Sequence, residues 1–317
     1  MLRAMFVRGA PPVLASILVL SLAAAAQADE EAAGGDGWAT EVGSLKRPPD
    51  LSPEFSDPEA TTRFHLTGRL TPTKTDLLWT IEAQAAMRLG SNVALTAAVP
   101  FGFDLAQTGA GHADQIFLGN VRIGVAGGGA VWRGPGAQHP TFWVGGAIDI
   151  YAPTSPPAET GVDLVAAAQT TLPLEPGLFM SRSMAFRARL HLGFDVSIVG
   201  IDAELGGTPA FTIGNKVDGY GWLSMALRVR VLPVPFFEPY LELGGTLTLG
   251  QPSLPRFSPG GFAFTPGVRF HFLGLAPAAF VTIYGGPSGR PDTVTIGLDF
   301  AGFVERSNRS GVEKFSQ

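Results

Sequence analysis

The stretch SMAFRARLHLGFDVSIV, from Ser183 to Val199, decides the fold. Met184, Phe186, Ala188, Leu190, Leu192, Phe194, Val196 and Ile198 occupy every second position. Arg187, Arg189, His191, Asp195 and Ser197 stand between them. Successive side chains of a strand point to opposite faces, so this pattern predicts a strand with one apolar wall and one ionic wall. It is longer than the ~5–6 residues usual in soluble sheets. A tilted membrane span with an extension above it accommodates that length.

Working outward, the same period recurs. Leu77, Trp79, Ile81, Ala83, Ala85, Met87 and Leu89 are set against Thr80, Glu82, Gln84 and Arg88. Leu223, Met225, Leu227, Val229 and Val231 oppose Ser224, Arg228 and Arg230, and Phe262, Phe264, Val268, Phe270 and Phe272 oppose Thr265, Arg269 and His271. The polar face is rich in Gly, Ala, Thr and Arg rather than in the Lys and Glu of an open surface, which suits a crowded lumen. The expected fold is therefore all-β: a transmembrane, antiparallel, up-and-down β-barrel of about 12 strands, with ten or fourteen left open. Strands are expected at 61–70, 77–89, 93–105, 115–127, 141–151, 162–171, 183–199, 219–231, 236–250, 260–273, 276–285 and 292–303. If the first strand runs outward, the tight turns 90–92, 232–235 and 274–275 face the periplasm, and the longer segments 106–114, 152–161 and 200–218 face outside. The longer links 128–140 and 172–182 fall on the periplasmic side of this scheme. Aromatic residues near strand ends, among them Trp79, Phe101, Trp143, Tyr220, Trp222 and Phe236, suit interface belts.

Composition agrees. Only 15% of residues are charged, against roughly a quarter in a soluble domain. Beyond the first thirty residues no run approaches the ~18 apolar residues of a membrane helix. A net charge of -5 without a basic cluster argues against a nucleic-acid partner. With Cys at 0, disulfides, thiolate metal sites and Cys nucleophiles are excluded. Residues 1–28 read as a signal peptide: Arg3 and Arg8, an apolar Val13–Ala26 core, then Ala26-Gln27-Ala28 as a cleavage site. Residues 29–60 read as a flexible periplasmic leader or partial plug, 61–303 as the barrel, and 304–317 as a polar tail. The expected location is the outer membrane, with its lipid and the barrel-assembly machinery as partners.

Three phrases carry a resemblance. Ala98-Val99-Pro100-Phe101-Gly102, Gly119-Asn120-Val121-Arg122-Ile123-Gly124 and Ala152-Pro153-Thr154-Ser155 resemble the "sVPfG", "GDvrlG" and "PTG" phrases of a bacterial outer-membrane family. That family is described as transporters of the MetA pathway of phenol degradation. Ser155 departs from the family's Gly. The resemblance spans roughly 60–303 and implies barrel architecture and, at one remove, transport.

The ionic face supplies the candidate lumen lining: Glu82, Arg88, Arg122, Asp149, Arg187, Arg189, His191, Asp195, Arg228, Arg230, Glu238, Glu242, Arg269 and His271, with Asp299 beside them. Arginine's planar fork pairs well with carboxylates in a confined lumen. Two readings follow: a salt-bridged filling that holds the wall in shape, or a conduit whose Arg187, Arg189, Arg228 and Arg230 ladder, set on consecutive strands, favours anionic or polar organic solutes. The corresponding functions are a passive channel for small organic solutes, or a structural or adhesive barrel acting through its loops. A barrel enzyme is a third class, but Ser183 and Ser197 lie too far along the strand from His191 to form a catalytic set. No metal-ligand spacing or cofactor motif is present.

Overall fold

The computed structural model describes residues 60–72, 76–89, 93–106, 115–134, 140–155, 175–180, 183–212, 219–234, 236–249, 260–271, 275–285 and 291–305. The strands, in chain order, are β1 (Ala60–Pro72), β2 (Asp76–Arg88), β3 (Val93–Ala106), β4 (Gln115–Leu118), β5 (Arg122–Arg133), β6 (Thr141–Tyr151) and β7 (Ser183–Val196). They continue with β8 (Val199–Thr212), β9 (Gly219–Val231), β10 (Phe237–Leu249), β11 (Gly260–Phe270), β12 (Leu275–Gly285) and β13 (Pro291–Glu305). Apart from β4 and β5, which do not pair with each other, each pairs antiparallel with its chain neighbours, and β1 pairs with β13 from Ala60↔Glu305 to Leu70↔Ile296, which closes the sheet on itself. β4 and β5 both pair with β3, through Phe101↔Leu118 and Ala98↔Arg122, so they are two halves of one broken stave. The result is a closed up-and-down barrel of twelve staves. Closure pairs β1 with β13 and so removes the two outer edges of the sheet, as hydrocarbon demands of a spanning sheet.

The period-two pattern settles which wall faces where. Leu66, Ile123, Leu205, Met225, Leu243 and Ile296 lie on the exposed outer face, while Thr67, Arg122, Glu204, Arg228 and Thr295 are buried inside. An apolar exterior around an ionic interior inverts a soluble barrel and is the arrangement lipid selects. Among the described residues no helix is long and apolar enough to cross a membrane. Both chain ends of the barrel, Ala60 and Glu305, sit at the same rim. So do the strand ends Arg88, Val93, Arg133, Thr141, Val196, Val199, Val231, Phe237, Phe270 and Leu275, and this rim is called the turn end below. Tyr151 and Ser183 lie at the opposite, loop end.

Several sequence expectations are corrected. Residues 200–218 do not form one outer loop, because β8 occupies Val199–Thr212. The expected strand 183–199 in fact stops at Val196 and reverses through Ser197 and Ile198, with Val196 paired to Val199. Ser197 takes φ 52°, the one non-Gly positive φ among the described residues, as the first central position of a type II′ turn requires. This turn places the Ser183 end of β7 at the loop end, opposite to its expected direction. β6 is hydrogen-bonded directly to β7, leaving no place in the ring for an intervening stave. Residues 162–171 lie outside the described residues, as do the segments expected as signal peptide, leader and tail, except for Ala60 and the last residues of β13.

Candidate functional site: the lumen and the turn that crosses it

Most candidate residues point inward and are engaged in ion pairs. Near the turn end, Arg230 pairs with Asp195 and, at 3.2 Å, with Asp202; its Nη1 lies 3.8 Å from Glu238. Glu238, fully buried, also faces Arg269 at 3.8 Å and His271 at 3.5 Å. Arg269 reaches Asp299 at 3.3 Å, and Asp299 accepts from Thr67 at 2.9 Å and lies 2.6 Å from His65 Nε2. Arg228 donates to Glu242 through Nε and Nη2 at 3.1 and 2.7 Å and stacks over Tyr240, 4.9 Å from the ring centroid. Glu82 stands 3.6 Å from Arg69. The side chain of Arg88 lies outside the described residues.

The four arginines do not form a ladder on consecutive strands. β8 lies between β7 and β9, and its Asp202 and Glu204 insert carboxylates between the two arginine pairs. Three aromatic residues expected in the belts also face inward. Trp143 donates its indole N–H to Asp195 at 3.0 Å, and Tyr220 and Trp222 are buried. Trp79, Phe101 and Phe236 do lie on the exterior.

The loop end is built differently, around the break between β4 and β5. Gly119 donates to the Pro100 carbonyl at 2.8 Å, and Ala152 donates to Val121 at 2.8 Å. Thr154 donates from its hydroxyl to Gly119 O at 2.6 Å and accepts from the Val121 amide at 3.0 Å; the Ser155 amide donates to Asn120 Oδ1 at 3.0 Å. The three phrases quoted for their resemblance thus meet at one point of the wall. Asn120, fully buried, turns its amide inward: Nδ2 donates to Gly177 O at 2.9 Å and Met180 O at 2.7 Å, and its backbone N–H donates to Leu178 O at 2.5 Å. What it holds is a 3-10 turn, Pro176–Phe179, preceded by Glu175.

This turn crosses the lumen. Leu178, Phe179 and Met180 are buried in one cluster with Leu78, Phe117, Tyr151, Ala185, Ala210, Tyr220 and Trp222. Leu78 on β2 and Trp222 on β9 stand six staves apart in the ring of twelve, on opposite walls. Phe179 meets Phe117 edge-on, with centroids 5.9 Å apart. Gly177 lies between rings, where a Cβ would stand 3.2 Å from Tyr151 Cε1 and 3.3 Å from Trp222 Cζ2. A side chain on Gly119 would collide with the Leu178 carbonyl, so Gly at that position permits the turn to seat.

Glu175 completes an ionic cluster directly beneath. Its Oε1 accepts from Arg122 at 2.6 Å and from Arg187. Arg187 also donates to Glu204, and Arg189 is forked onto Asp149 with distances of 2.9 and 3.4 Å. His191 Nδ1 stands 3.4 Å from Glu204. Burial alone would raise the Glu175 pKa, but Arg122, Arg187 and Arg189 outweigh it and hold the carboxyl at about 2. Sequence reading placed Glu175 in a periplasmic link and missed His65, Arg69, Asn120, Asp202 and Glu204. One signal for the β8 pair was present: the outward apolar set shifts from even positions (Phe194, Val196) to odd ones (Ile201, Leu205), the parity change a two-residue hairpin imposes. Glu175 and Asn120 carried no comparable signal, because no period marks them. Among the described residues no group of side chains has the arrangement of a metal site.

No protein-family model matches the chain, and no curated protein sequence matches it. Solved structures do match. The NanC porin is similar at TM-score 0.47 and 8% identity, covering 76% of this chain and 99% of that one. The translocator domain of the autotransporter NalP from Neisseria meningitidis is similar at 0.41 and 11%, covering 90% and 99%. The outer membrane protein Omp33 of Acinetobacter baumannii is similar at 0.32 and 9%, covering 78% and 100%. Likeness this remote assigns neither solute, activity nor partner, and the chain is characterised by its own geometry: a closed ionic lumen crossed by an apolar turn.

Proposed function

We propose that this chain is an outer-membrane channel for small organic solutes, shut at its loop end by the turn 175–180. The observation that carries the reading is that turn. A barrel built only as a scaffold would fill its lumen from the wall, whereas here a connector is drawn in and seated on one buried asparagine and two arginines. The apolar exterior, together with the signal-like residues 1–28, supports placement in the outer membrane. The lumen's paired charges favour polar and anionic solutes over neutral lipids. The resemblance to the phenol-degradation transporters agrees in kind with this reading.

Planar-bilayer recording of the full chain tests it. The wild type should show rare openings, and a Glu175→Gln variant frequent ones, because the substitution removes the charge that seats the turn. No current from either protein, with no flux of small organic acids into liposomes, would remove the channel reading. A second reading, a structural barrel with a filled lumen, is favoured by the dense wall-to-wall pairing around Glu238 and Asp299. It predicts that same silence.

A further inference from the structure

We infer that the turn 175–180 occupies a site for an amphipathic carboxylate, and that a solute bearing one carboxyl group and an apolar body opens the channel by taking its place. The inference rests on the channel reading and names its substrate class.

The argument starts from charge. Arg122, Arg187 and Arg189 converge on a small buried volume, where Asp149, Glu204 and Glu175 are among the carboxylates that face them. Asp149 and Glu204 are fixed on the wall strands β6 and β8; Glu175 is not part of the wall. Withdrawing the turn takes from Arg122 and Arg187 the carboxylate oxygen that both approach. A buried guanidinium that loses its partner is costly, so the open state calls for a replacement carboxylate. Arg122 and Arg187 approach the same oxygen of Glu175, a geometry any carboxylate reproduces.

The apolar half of the site lies beside the ionic half. Leu178 and Phe179 are wholly buried, and their neighbours are Leu78, Phe117, Tyr151, Tyr220 and Trp222. Leaving the turn's side chains out would expose this aromatic lining to water, so an occupant with an acyl chain or aromatic ring is favoured over a bare anion. The Tyr151 hydroxyl, fully buried with no hydrogen-bond partner among the described residues, stands on the wall between the two halves. It offers one more donor to an oxygen-bearing head group. Glu175 with Leu178 and Phe179 is thus the protein's own copy of the ligand: a carboxylate joined to an apolar body.

Calorimetry on the detergent-solubilised full chain tests this, using octanoate, octanamide and acetate as probes. Octanoate should bind the wild type weakly, in competition with the turn. Glu175→Gln, which removes the internal competitor's charge, should tighten octanoate by about tenfold or more, and octanamide should stay weaker than octanoate in both proteins. Acetate should bind more weakly than octanoate to either protein. Arg187→Gln combined with Glu175→Gln should abolish the gain. If Glu175→Gln fails to fold, Asn120→Ala loosens the turn without touching the charges and should also tighten octanoate. Equal binding of octanoate and octanamide, or no gain in a folded variant, would overturn the inference. Bilayer conductance in KCl, without octanoate, separates the two readings. Current without octanoate binding sinks this inference alone, and octanoate binding without current sinks the channel alone.

Discussion

The two ends of the lumen solve the same problem with different parts. At the turn end, Arg230, Glu238, Arg269 and Asp299 are all wall residues, and each arginine reaches carboxylates on other strands. Such a network braces the cylinder and has no member that leaves without unfolding a strand. At the loop end, Arg122 and Arg187 look instead to Glu175, a residue outside the wall. The apolar cluster above them likewise takes its central members from the turn. Ion pairing at one end thus serves shape, and at the other it holds a separable piece. The difference teaches that charge inside a barrel is read by where its partner is anchored, not by how many partners there are.

Breaking that contrast at the loop end should give the largest effect. Removing one member of a buried pair costs ~3–5 kcal/mol, and the lower figure suits Glu175, whose side chain is 16% exposed. About 3 kcal/mol corresponds to roughly a hundredfold rise in the open population of Glu175→Gln, read as open probability in single-channel records. At the turn end, Glu238→Gln leaves Arg269 and Arg230 short of a carboxylate in a fully buried position. The expected outcome is a lower unfolding temperature by heat-modifiable migration, with resting conductance unchanged. If Glu238→Gln opens the channel as Glu175→Gln does, the two ends are not distinct.

The barrel itself was legible because lipid enforces the period of two: Met184 to Val196 had to be apolar on one side, and so did Leu223 to Val231. Legibility ended where that constraint ends. β8 was overlooked because Gly206, Gly207 and Pro209 dilute its alternation. The Ser197–Ile198 reversal was overlooked because a serine, not a glycine, takes the positive φ. Trp143, Tyr220 and Trp222 were assigned to the belts by type, although their parity with Asp149, Ser224 and Arg228 already placed them inside. Many ionic wall residues could be named from parity, but His65, Arg69, Asp202 and Glu204 were not among them. The turn could not, since its role depends on Asn120 and Arg187, distant in sequence and brought together only by closure of the ring.

Smaller effects sharpen the comparison. Asn120 makes two side-chain hydrogen bonds to the turn. At about 1 kcal/mol each, Asn120→Ala should raise open probability roughly ten- to thirtyfold, less than Glu175→Gln does. It should leave the unfolding temperature close to wild type, because β3 still pairs with β4 and β5 on either side of the break.

Acid provides the mildest perturbation and the one that separates the ends without mutation. Burial alone would raise Glu175, but Arg122, Arg187 and Arg189 hold it at about 2. A carboxyl whose seated pKa lies below its free value stabilises seating fully above the free value, near 4.5, and the contribution declines as pH falls toward 2. Open probability should therefore be flat from neutral pH to about 5 and rise only below that, as the undocked turn takes up a proton that the docked one refuses. In Glu175→Gln this rise should be missing, because glutamine has nothing to protonate. An acid-induced opening of the same size in that variant would locate the sensor elsewhere, with His65, Asp299 and Glu238 of the turn end the first groups to substitute.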